Sequence, residues 1–152
     1  MQPIPKRLKI IALFLLLSTA IAACKDDSIR KAARASDDMA TIVSLAIDAK
    51  RGLAQTTPPL ITSQEELALT FGLQKVNAAV QAFHSQALAT RDLNPATKAQ
   101  LLSMLSSITQ SVNELNQQDV FGIRNPDAKA KLTAVLSGFS GAFIAIQAAL
   151  GS

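Results

Sequence analysis

Two side chains in this chain have the intrinsic reactivity for chemistry at neutral pH: one thiol, Cys24, and one imidazole, His84. A single Cys cannot close an internal disulfide, and one Cys with one His falls short of the about four ligands of a dedicated zinc site. Covalent haem attachment needs C-x-x-C-H, which is absent. A di-iron bundle needs Glu-x-x-His on two helices, yet Glu65, Glu66 and Glu114 are the only glutamates and none has His three residues on. No G-x-S-x-G, P-loop or G-x-G-x-x-G occurs. His84 has no carboxylate at i+3 or i+4, so it reads as a structural, partly exposed imidazole. The expectation is a protein that is not an enzyme and has no cofactor and no metal.

Cys24 is better explained by what precedes it. Lys6, Arg7 and Lys9 are followed by an apolar run over 10–17 and by mostly small residues up to Ala23. This is the layout of a secretory signal peptide. The uncharged stretch 10–23 has 14 residues (23 minus 9), short of the ~20 a membrane-spanning helix requires. Ile21-Ala22-Ala23-Cys24 resembles the lipobox of bacterial lipoproteins. The resemblance implies a diacylglyceryl group on the Cys24 sulfur, cleavage between Ala23 and Cys24, and acylation of the new amino terminus. It implies a partner too, the membrane reached through the Cys24 anchor. Lys25 resembles the default of enteric-type sorting, which implies an outer-membrane protein facing the periplasm in a Gram-negative host. The resemblance covers 1–24 only.

Charge narrows the rest. Fifteen Lys and Arg against 11 Asp and Glu give +4, but without Lys6, Arg7 and Lys9 the balance is 12 against 11, or +1. A near-neutral chain with no Trp and no Tyr lacks both the basic face and the stacking platform of a nucleic-acid binder.

Periodicity then predicts helices. The organisation expected is a signal peptide over 1–23, a short lipidated tether over 24–28, and one all-α domain over 29–152. Ile29, Ala33, Ser36, Ala40, Val43 and Ile47 recur at helical steps, with Arg34 placed to meet Asp37 and Asp38. Gly52 stands where a left-handed closing residue would end that helix. Ser63 with Glu66 reads as a capping box opening a second helix, whose stripe is Leu69, Leu73, Val76, Val80, Phe83 and Ala87. Asn94-Pro95 opens a third along Leu101, Leu105, Ile108, Val112 and Leu115, closed by Gly122. Asn125-Pro126 opens a fourth along Leu132, Val135, Phe139, Phe143, Ile146 and Leu150. Short connections between amphipathic helices make neighbours antiparallel, so the fold predicted is an up-down-up-down four-helix bundle.

The fourth helix carries no charge over 133–152. Its far face holds Ala134, Ser137, Gly141, Ile144, Ala145 and Ala148. That face is a weakly polar solvent face, a contact face for a partner or a second copy, or a membrane-inserting segment, which the amphipathic stripe fits least well. Leu67 and Phe71 lie off the core stripe of the second helix and are expected to be covered by Leu60 and Ile61. Two functions follow. One is a lipid-anchored interaction or structural module whose partner is an envelope protein or itself. The other is a carrier of an apolar molecule or lipid in a cavity lined by Phe83, Phe139 and Phe143. The evenly filled stripes favour the module.

Overall fold

In the computed structural model the chain forms α1 (Lys6–Ala54), α2 (Ser63–Ala89), α3 (Pro95–Glu114), α4 (Pro126–Leu136) and α5 (Phe139–Leu150). The structure describes residues 6–151, with side chains over 27–151. The expected signal peptide and Cys24 thus lie outside the described side chains. A six-residue π-helix, Leu115–Val120, continues α3 without a break. Among the described residues there is no strand.

These elements make four antiparallel rods. Ser36 of α1 meets His84 of α2, while Lys50 meets Thr70, so the two helices run in opposite directions. Lys75 of α2 pairs with Glu114 of α3. Lys98, near the start of α3, donates to the carbonyl of Gly151 just beyond α5 at 2.7 Å. Ile42 of α1 packs beside Gly138, between α4 and α5. The result is the up-down-up-down all-α bundle, with α4 and α5 as two halves of the fourth rod.

Local chemistry sets the helix ends. Asn94 caps α3 by accepting from Thr97 N–H, and Asn125 caps α4 by accepting from Asp127 and Ala128 N–H, each ahead of a Pro at the first turn. The cap of α2 is Thr62 rather than Ser63. Its hydroxyl accepts from Glu65 N–H, and the Glu65 carboxylate accepts from Thr62 N–H at 2.7 Å. The capping box is therefore real but one residue upstream, because Ile61 must turn inward before the helix starts. Gly52 does not close α1. It remains helical, and the chain leaves two residues later.

The core is dry. Phe83, Phe139, Met39, Leu69, Leu101 and Ile108 are among its fully buried side chains. No buried side-chain nitrogen or oxygen among the described residues lacks a hydrogen-bond partner. The stripes expected for α2 and α3 are buried at every position. That of α1 is wider and rotated, with Ala32, Met39, Ala46 and Leu53 inside and Ala40 and Ile47 at its edge. The reason is that α1 packs against both α2 and the fourth rod, so no single face suffices.

Candidate functional site

Two backbone irregularities face one another across the bundle. At the end of α3, Phe121 N–H reaches back five residues to Asn116 C=O, the signature of a π-turn. In the fourth rod, Gly138 N–H bonds to Val135 C=O and Ser140 N–H to Ser137 C=O, each three residues back. This tight turn divides α4 from α5. Between the two lies an open groove of about 520 Å³. Val112, Val120, Leu136, Phe139 and Phe143 supply its apolar wall, and Asn113, Asn116, Thr133, Ser137 and Ser140 its polar rim. The Phe139 and Phe143 rings stack with centroids 5.9 Å apart. At the mouth the Lys129 ammonium rests 5.6 Å from the centroid of Phe121, whose ring is 70% exposed. Among the described residues Lys129 is the only charged one in the lining.

The expected three-phenylalanine cavity is thus corrected. Phe139 and Phe143 share the groove, but Phe83 is sealed in the core on α2 and does not line it. The stripe logic placed all three inward correctly without separating core from groove. Phe121 and Lys129 were missed, since both lie at helix ends where periodicity gives no direction.

On the outer face of the fourth rod, Ala134, Ser137, Gly141, Ile144, Ala145 and Ala148 are all exposed. Pro126–Leu150 is long and apolar enough to cross a membrane by length and composition. Its large residues Leu132, Leu136, Phe139, Ile146 and Leu150 are nevertheless buried in the bundle. Leu67 and Phe71 are 57% and 64% exposed, so the linker does not cover them. Ile61 is drawn into the core instead.

His84 has a carboxylate neighbour after all, brought from another helix. Its Nδ1 lies 2.9 Å from Ser36 Oγ and 3.3 Å from Asp37 Oδ1. Asp37 therefore turns to His84 rather than to Arg34. A Ser, His and Asp together suggest a nucleophilic triad, but the wiring differs. In such a triad the hydroxyl and the carboxylate use opposite ring nitrogens. Here both address Nδ1, and Ser36 directs its own proton to Ala33 C=O at 2.6 Å. Ser36 is also fully buried. The cluster orients the imidazole without the opposed-nitrogen arrangement of such a triad.

A second polar region lines the seam between α2 and the π-turn. Asp119 lies against Gly72, and burial raises its carboxyl above the ordinary range. Glu114, hydrogen-bonded to Lys75 and then Gln110, is held below it. Glu65 is lowered too, first by Thr62 N–H and further by Arg124 N–H, to which it accepts at 2.9 Å. Among the described residues no group of three or more His, Cys, Asp or Glu converges to hold a metal ion. No protein-family model, no curated relative and no solved structure matches this chain.

Proposed function

We propose that this protein is a lipoprotein of the bacterial cell envelope, held by acyl chains on Cys24, whose helical bundle acts as a non-catalytic interaction module. The observation that carries the reading is Ile21-Ala22-Ala23-Cys24 placed directly behind a basic and then apolar leader. Two or more acyl chains anchor firmly, because each buried CH₂ contributes ~0.8 kcal/mol. Lys25 fits an outer-membrane protein facing the periplasm if the host is Gram-negative. The module side is supported by a filled core and by Leu67, Phe71, Phe121 and Ile144, large apolar side chains left on the surface. The Ser36 hydroxyl, buried and donating to Ala33 C=O, accords with a non-catalytic role.

A carrier is the second reading, and the groove floored by Phe139 and Phe143 is what favours it. Mass spectrometry of the native protein tests the anchor. The expected amino-terminal residue is Cys24 bearing a diacylglyceryl thioether, and an unmodified thiol there overturns the proposal. Affinity capture from membranes tests the module. A reproducible protein partner is expected, whereas co-purified small molecule with no protein turns the reading to a carrier.

A further inference from the structure

We infer that the groove between the end of α3 and the α4–α5 rod binds a single-chain anionic amphiphile, an apolar chain ending in a carboxylate or phosphate. This goes beyond the module reading and does not depend on whether Cys24 is acylated. Three observations carry it. The volume of about 520 Å³ falls in the range of small-ligand sites. The floor is apolar, with stacked Phe139 and Phe143, and the exposed Phe121 ring at the mouth would be covered by an occupant.

The third observation is charge. Lys31, Lys50, Lys75 and Lys98 each have an oxygen partner within the fold. Among the described residues Lys129 and Lys131 have no such partner; of the two only Lys129 lines the groove, where it sits on the Phe121 face and shares the lining with no carboxylate. A cation at one end of an apolar trough selects a negative head over a neutral or positive one. The hydroxyl of Thr133, one helical turn beyond Lys129, lines the same groove and is placed to donate to that head.

The test is calorimetric titration with dodecanoate of the full chain in phosphatidylcholine nanodiscs, whose uptake of the chain is verified first, using empty discs as the blank. Saturable binding of one dodecanoate per chain is expected. Dodecanol and dodecyltrimethylammonium should bind roughly ten-fold more weakly, the effect of one charge-assisted hydrogen bond. Lys129→Gln should weaken dodecanoate by the same roughly ten-fold, and Lys129→Arg should retain it. Ser140→Trp, at an exposed rim position, should abolish binding by filling the trough. The ligand series needs no variant, so it decides even if a variant misfolds. Equal binding of the cationic amphiphile, unchanged affinity in Lys129→Gln, or heat no greater than that of empty discs overturns the inference. So does a carboxyl-bearing helical peptide that occupies the groove where dodecanoate binds no better than the alcohol. Lysophosphatidylglycerol, an anionic bilayer component with one chain, separates the sources when added to the disc. If it displaces dodecanoate the natural occupant is a bilayer lipid, and if it does not the occupant is a free amphiphile; both outcomes uphold the anionic class.

Discussion

The α1–α2 seam and the α3–α5 seam both join antiparallel helices, yet one is closed and the other open. Along α1, the small residues Ala32, Ala33 and Ala46 are buried, and the polar contacts Ser36–His84 and Lys50–Thr70 bridge the seam to α2. Across the bundle, Lys98 ties α3 to the end of α5, but at the opposite end the π-turn and the break after Ser137 leave the groove between them. Uninterrupted helices with small facing residues close a seam. Local departures from the i→i−4 pattern keep polar groups satisfied while leaving apolar side chains only partly covered. The lesson is that a surface site can arise from backbone irregularity while the core stays intact.

The largest test of that contrast is a pair of truncations. Phe83→Ala should lower stability by about 3–5 kcal/mol in urea denaturation, the usual cost of a cavity in a sealed core. Phe143→Ala, half-buried on the groove, should cost less than half as much. Equal losses would mean the two regions are not packed differently. Next in size, Gly72→Ala should destabilise by about 1–3 kcal/mol, since an added Cβ would meet Asp119 and, at 2.6 Å, the buried Leu115. Gly52→Ala, with nothing within 4 Å and a helical backbone, should instead stabilise by about 0.5–1 kcal/mol.

The smallest effects concern two acids beside the π-turn. The folded state lowers the Glu65 pKa, so its stabilisation is complete above the unfolded value and is lost as pH falls through the folded one. Glu65→Gln should therefore flatten the acid limb of a stability–pH curve. Asp119 has the opposite sign: burial raises its pKa, so its ionisation opposes folding above that value and the penalty vanishes on acidification. Asp119→Asn should leave the protein slightly more stable at neutral pH, and a loss there would show that the carboxylate has an attractive role.

Much of the fold is legible because a buried face repeats every three or four residues. The stripes of α2 and α3 need one partner-facing side each, and their sequences state it directly. The π-turn also leaves a trace, since Val112 and Leu115 are followed by buried Val120 at a step of five, with Gln118 and Asp119 where a buried residue would fall. The width of the α1 face is not legible, because it depends on which neighbours pack against it. The groove and the His84 partnership are not legible either. Both depend on register between helices distant in sequence, which the connecting loops and the whole packing determine. Thr62 in place of Ser63 is a narrower case, in which two hydroxyls compete and the burial of Ile61 decides.

The Ser36–His84 contact also bears on how the chain avoids wrong arrangements. Alanine-rich ridges are smooth, and α1 could slide along α2 by a turn with little loss of apolar coverage. A shift of that size would part the imidazole from Ser36 and Asp37 and set it against hydrocarbon, while the Ser36 hydroxyl would keep only its bond to Ala33 C=O. One polar peg in an otherwise greasy track thus selects a single alignment, and by fixing the first pair of helices it also fixes where the other two can dock.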